Sequence, residues 1–465
     1  MDPFLVLATY AIVCGLVIAI LHFVGRRERV VTPVALFVTI EIVAVWPALW
    51  PVDNDYLAGA GPFAAVLVAT ALLGMVITYA AVGGAAADAT VWRGATRVPG
   101  PESLRSIAVG LTLLVGGLVA VGFAQFGGLP PLLTGGFSSL FDPLANQEQV
   151  EIIRESRRSM TKGHTLLGDE YSGQGILNVG IRSGWQVAVS VAVLYWSWKR
   201  TRGSLQVVVV VSALALVFLG STGVRSSVVM CAIAAVTALA IRYRMKMKHI
   251  VFATAALVGF ILLIMPLSKG ESAGVTISER AASATTRVTD GNGQHNARIV
   301  GLIASERLDI QWGNVLWGKL AATAPGVGGE DPFALRLTRL SFGSNSASTT
   351  GYSTPTQFGL MYADGGPVGV IIGYLLSGAL LGVGWRWVCR LRSPVGAAVA
   401  TQAAILLGFM SVTGIPGVLS TGLVLGLALF ICMGPHGWSA AAARVLGGKG
   451  ARRKMTATSR VMSKQ

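Results

Sequence analysis

Long apolar runs that contain almost no charge constrain the fold of this chain more than any other feature. Eleven such runs occupy residues 4–24, 32–50, 62–83, 105–124, 180–198, 205–221, 226–241, 250–267, 365–386, 394–413 and 417–433. A residue in a helix rises about 1.5 Å, and the hydrocarbon core of a bilayer is about 30 Å thick. The sequence therefore predicts an all-α, polytopic integral membrane protein with about eleven transmembrane helices.

The composition excludes several other classes of protein. Of the 465 residues, 53% are hydrophobic and 12% are charged, whereas soluble globular proteins have roughly 25% charged residues. An ordinary soluble enzyme, a disordered chain and a coiled coil are all incompatible with this balance.

The distribution of basic residues predicts the orientation of the helices. No basic residue precedes the first run, and Arg26, Arg27 and Arg29 follow it, so we expect the N-terminus outside and the C-terminus in the cytoplasm. With that alternation, 23 of the 37 basic residues and three of the 21 acidic residues fall on the inside. This is the positive-inside pattern. It explains the net charge of +16 without nucleic acid as a partner.

The same topology predicts one polytopic membrane domain over residues 1–433 and a basic, disordered cytoplasmic tail over 434–465 near anionic lipid headgroups. Two long loops, 125–179 and 268–364, fall outside, and loops of such length usually carry function. We expect a short helix in each loop, over 146–158 and 295–308. The apolar positions of 295–308 are typical of an amphipathic helix that rests on the membrane or on the bundle.

Arginine is frequent in the external segments, and its planar guanidinium suits phosphate or carboxylate oxygens. These arginines could bind a lipid diphosphate or pair with neighbouring acids. Arg225 follows a short apolar run and precedes another, where a charge is costly unless it faces a cavity or a partner; we predict that it is functional. The loop arginines considered as ligands are Arg154, Arg157, Arg158, Arg280, Arg287 and Arg298.

Candidate acids and bases are few. Glu41 lies in mid-span and is either functional or a hydrogen-bonded structural group. Asp364 and Tyr362 fall at the predicted outer boundary, where Asp364 could be a base, a ligand for sugar hydroxyls or an N-cap. Glu170 and His164 are further candidates for a base. No metal-binding, P-loop or nucleophile-elbow motif is present, so we predict neither a metal nor a cofactor.

Three short patches resemble the oligosaccharide repeat-unit polymerases, the Wzy-type O-antigen polymerases, which are related to the O-antigen ligases. The first patch is similar to a stretch of small residues, Ser and Arg before a helix. The second is similar to an Arg-led external helix followed by a glycine turn, and the third to the start of a late helix. They are residues 220–226, residues 298–318 with Arg298 first, and residues 358–369. The ligases have a His-Asn pair where this chain has Tyr352-Ser-Thr, which favours a polymerase.

The resemblance implies a metal-independent glycosyltransferase in the bacterial inner membrane that acts at the outer face. Its substrates would be polyprenyl-diphosphate-linked oligosaccharides, and its partners would be membrane lipid and a chain-length regulator protein. Arg298 and Arg225 would stabilise the leaving diphosphate, with Arg154, Arg157 or Arg158 as a clamp. Asp364, Glu170 or His164 would act as the base. Glycan recognition would use aromatic residues, namely Tyr171, Tyr352, Trp312 and Trp317.

Two other interpretations stay open. One is a different glycosyltransferase that uses a lipid monophosphate sugar, for which Asp53 and Asp55 in the first external loop would be the acidic pair. The other is a lipid-linked sugar flippase or a transporter, which predicts charged residues lining the helix bundle.

Overall fold

The fold was analysed in a computed structural model. The structure describes residues 15, 32–42, 60–84, 101–125, 174–221, 225–243, 296–323, 333, 336–337, 340, 355–390, 394–415 and 418. Within these ranges the regular structure is helical and contains no strand. In chain order the helices are α1 (Pro33–Ile40), α2 (Ala60–Ala81), α3 (Pro101–Gln125), α4 (Gln174–Lys199), α5 (Arg202–Ser221), α6 (Arg225–Arg242), α7 (296–304), α8 (Asn314–Thr323), α9 (Gln357–Cys389) and α10 (Pro394–Gly408).

The helices have the length and surface of membrane spans. Four of those described are long and apolar enough to cross a bilayer: Phe63–Ala81, Glu102–Val121, Arg202–Leu219 and Gln357–Cys389. Large apolar side chains also face outward along them, such as Leu113, which is 72% exposed, and Ile372, Leu376 and Leu380 on one stripe of α9. A soluble protein rarely exposes so continuous an apolar surface, so these faces suit contact with lipid.

Eight of the eleven predicted runs coincide with helices among the described residues. The other three, 4–24, 250–267 and 417–433, lie almost wholly outside the described residues, and so does the predicted tail 434–465. The number of eleven spans therefore stays a prediction.

Helix α9 is broken, and the break turns it back on itself. Gly365 has φ −146° and ψ 17°, Gly366 has φ 58° and ψ −148°, and Pro367 begins the second half. In a straight helix, residues 357 and 377 would lie about 30 Å apart. Instead, Gln357 Nε2 donates a hydrogen bond to Ser377 Oγ. Residues 357–364 and 367–389 are therefore the antiparallel arms of a helical hairpin, here called the α9 hairpin.

The hairpin changes one expectation from the sequence. A late helix over 365–386 was predicted to follow an external loop that ends at residue 364. The long arm of the hairpin matches that helix closely, but the short arm, 357–364, is helical and mostly buried. A glycine pair made the turn possible, because the backbone of Gly366 is in a region that side chains disfavour.

Glycines also bring α9 against α2. A Cβ atom on Gly378 would overlap the carbonyl of Met75, and one on Gly382 would lie 3.0 Å from the carbonyl oxygen of Tyr79. Small residues four apart allow two membrane helices to pack backbone to backbone. This contact fixes the long arm of the hairpin in the bundle.

Contacts between helix ends agree with the predicted alternation. Lys199 Nζ lies 2.6 Å from Glu102 Oε1, and this hydrogen bond raises the pKa of Lys199. Tyr243 Oη donates to the carbonyl of Ser197 at 2.6 Å, and the Arg386 side chain lies against Gly83. Each contact joins two ends that the charge pattern assigns to the same side of the membrane.

Candidate functional site

The second external segment packs directly on the short arm of the α9 hairpin. Asn296 Nδ2 donates to Thr356 Oγ1 at 2.8 Å, and the Thr356 amide donates back to Asn296 Oδ1 at 3.2 Å. Both side chains are fully buried. Gly359 permits the approach, because a Cβ atom there would lie 3.0 Å from Ile299 Cδ1. Helix α7 therefore rests on the bundle, which is one of the two placements predicted for the 295–308 helix.

Asp364 lies at the tip of the hairpin and caps a helix from another part of the chain. Its Oδ1 accepts the amides of Gly313 at 3.1 Å and Val315 at 2.9 Å, and its Oδ2 accepts the amide of Leu316 at 2.9 Å. The first N–H groups of a helix have no partner within the helix. Asp364 supplies that partner for α8, so it does not have the predicted role of N-cap to the helix that follows it.

The turn before α8 is shaped to deliver those amides. Trp312 has φ 50° and Gly313 has φ 92°, and the Gln311 amide donates to the carbonyl of Ala363 at 2.8 Å. The backbone of 311–316 is thus held against 363–364 by four hydrogen bonds. This turn and the tip of the hairpin form one unit.

Three predicted catalytic residues lie on segments that pack together. Arg298 is on α7 and is partly buried. Tyr362 is 6% exposed, and the centre of its ring lies 5.8 Å from that of Phe358. Asp364 follows two residues later. We call α7, the turn 305–313, α8 and the short arm of the hairpin the external cluster.

Two tryptophans of the external cluster are exposed. Trp312 is 81% exposed and Trp317 is 72% exposed. Exposed indole rings suit either stacking on sugars or contact with lipid headgroups. Their predicted role in glycan recognition stays a prediction.

The other predicted site residues cannot be placed. Arg225 begins α6, and nothing is described of its side chain. The remaining candidates lie outside the described residues: Arg154, Arg157, Arg158, His164, Glu170, Tyr171, Arg280, Arg287 and Tyr352.

A buried polar series crosses the bundle beside the external cluster. Tyr374 Oη donates to Glu41 Oε1 at 2.8 Å, and Glu41 is fully buried. Within the described residues, Glu41 Oε2 has no hydrogen-bond partner. One helical turn further along α9, Ser377 meets Gln357. The sequence drew attention to Glu41 alone; Tyr374 and Ser377, polar residues three apart in an apolar run, were the signal that was missed.

In the part of the chain that the structure describes, no three His, Cys, Asp or Glu side chains are grouped so as to hold a metal. Comparisons with protein-family models, with curated proteins and with solved structures found no match to this chain.

Proposed function

We propose that the chain is a polysaccharide polymerase that joins polyprenyl-diphosphate-linked oligosaccharide repeat units at the outer face of a bacterial inner membrane. In this proposal the chain crosses the membrane eleven times, with the N-terminus outside and the C-terminus in the cytoplasm. The observation that carries the proposal is the external cluster: an arginine-bearing helix packed on a hairpin at one end of apolar helices.

The placement of Arg298 supports a role toward a lipid diphosphate. Arg298 follows Asn296, whose side chain is locked to Thr356 by two hydrogen bonds. An arginine on an anchored helix is preorganised, and preorganised charge stabilises a leaving group better than a mobile side chain does. The apolar faces of α5 and α9 would give the polyprenyl tail a place in the surrounding lipid.

The proposed reaction is a single glycosyl transfer. A sugar hydroxyl of the acceptor attacks the anomeric carbon of the donor glycan, and a new glycosidic C–O bond forms. The bond from that carbon to the diphosphate breaks, and the lipid diphosphate leaves with the electron pair. A base takes the hydroxyl proton; Asp364, Glu170 and His164 are the candidates. Since both oxygens of Asp364 accept amides of α8, we favour Glu170 or His164.

Purified protein tests this proposal with a synthetic polyprenyl-diphosphate repeat unit and no added metal. The expected product is a ladder of glycan lengths. Arg298→Ala should lose the ladder, because the leaving diphosphate loses its cation. Arg307→Ala is the matched control, since Arg307 lies on the same external segment and is exposed. A folded preparation that makes no ladder contradicts the proposal.

The polar series from Glu41 to Gln357 favours a second candidate, a flippase or transporter for lipid-linked sugars. Buried polar groups that line a bundle often mark a transport path. Deletion of the gene separates the two functions. Loss of a polymerase leaves single repeat units on the cell surface, whereas loss of a flippase traps them inside, and loss of an unrelated transporter leaves glycan length unchanged.

A further inference from the structure

A groove separates α3 from α5 at the end of the bundle opposite to the external cluster. Its volume is about 490 Å³. Its lining changes from polar to apolar along the helix axes: Arg105, Thr201 and Gln206 at one end, and Val109, Leu113 and Val210 further along. Arg105 and Leu113 are eight residues apart on α3, which corresponds to about 12 Å. The groove is thus a polar mouth continued by an apolar channel.

The polar mouth carries positive charge. Arg105 is exposed, and among the described residues it makes no hydrogen bond; its electrostatic interaction is with Glu102. Glu102 is already paired with Lys199. Arg200 and Arg202 follow at the start of α5, so the basic side chains at this end outnumber the single acid.

The other polar side chains of the mouth are engaged within the protein. Thr201 and Ser204 exchange hydrogen bonds at the start of α5. Thr112 Oγ1 donates to the carbonyl of Ala108 at 2.7 Å, and Tyr195 Oη donates to Glu102. The guanidinium of Arg105 is therefore the group of the mouth that can bind an anion.

We propose that this groove binds an anionic phospholipid, with its phosphate at Arg105 and the upper part of an acyl chain along Val109, Leu113 and Val210. The apolar residues are exposed, Leu113 by 72% and Val210 by 55%, on two helices long enough to cross a bilayer. A basic pocket between membrane helices suits an anionic headgroup. A soluble phosphate would use only the mouth and would leave the apolar channel without a function.

Native mass spectrometry of the full-length protein in detergent tests the proposal, with phosphatidylglycerol and phosphatidylcholine as the probes. Phosphatidylglycerol should bind more tightly, and Arg105→Gln should weaken its binding about fivefold, the effect of one basic residue near an anionic surface. Arg390→Gln is the matched control, because Arg390 is exposed at the end of α9 and does not line the groove. It should leave the affinity unchanged.

Gly203→Leu tests the shape of the groove without changing charge. Nothing lies within 4 Å of a Cβ atom at Gly203, and this residue lines the groove, so a leucine fits the fold and fills the mouth. It should weaken the binding of phosphatidylglycerol at least as much as Arg105→Gln. Equal binding of the two lipids, equal effects at Arg105 and Arg390, or normal binding by Gly203→Leu would each overturn the proposal.

Discussion

Replacing Asp364 with alanine should unfold the first turn of α8 while the rest of the bundle stays intact. The carboxylate accepts three amide hydrogen bonds at 2.9–3.1 Å. A hydrogen bond to a charged group contributes about 1.5–3 kcal/mol. Asp364 is only half-buried, so water would replace part of that energy. We expect local opening of 313–316 to become easier by about 2–4 kcal/mol, somewhat above the loss of an ordinary N-cap.

Hydrogen exchange measured by mass spectrometry is the suitable assay, because it reports the opening of individual segments. A change of about 1.4 kcal/mol is tenfold in an equilibrium, so exchange at the amides of 313, 315 and 316 should speed up from about thirtyfold to several hundredfold. Asp364→Asn keeps one carbonyl oxygen and should show a smaller effect. Asp309→Ala is the control, since the exposed side chain of Asp309 accepts none of these amides.

The same experiment separates capping from general-base catalysis. If Asp364 positions α8, glycan synthesis and amide protection should decline together, and Asp364→Asn should keep part of both. If exchange in Asp364→Ala equals that of the wild type while polymerisation is lost, the capping argument is wrong and the base role predicted from the sequence is favoured.

Three further perturbations test the fold and the site. Arg225→Ala should abolish glycan synthesis while the protein still inserts; normal turnover would refute a functional role. Gly378→Leu should lower the thermal stability of the protein in detergent by about 1–3 kcal/mol or more through overpacking against α2, whereas Gly116→Leu should not, because a Cβ at Gly116 meets open space. Glu41→Gln should keep that stability, and Glu41→Leu should cost about 1–3 kcal/mol by leaving the Tyr374 hydroxyl unpaired; equal stability of the two variants would contradict this.

The positions of the helices could be predicted from the sequence because lipid exposure imposes a simple rule. A helix in hydrocarbon must be apolar over its whole length, so α2, α3 and α5 begin and end within a few residues of their predicted bounds. The charge pattern likewise paired the helix ends that meet in the structure, such as Glu102 with Lys199.

The α9 hairpin could not be predicted by that rule, and the reason is physical. Hydropathy distinguishes lipid from water, but the short arm 357–364 contacts protein, where polar residues such as Gln357 are satisfied by a partner rather than by solvent. A polar segment before an apolar run therefore looks like an external loop even when it is buried.

The glycines of 365–366 were visible in the sequence, but a glycine pair before a proline is equally typical of a helix start. Only the contact between Gln357 and Ser377 separates the two structures. That contact also decides how the candidate site is built. If residues 357–364 were an external loop, Asp364 would be free to move and could serve as a base. In the hairpin, Asp364 is held at the tip and both of its oxygens are committed to α8. The hairpin therefore shifts the search for the base from Asp364 to the first external loop.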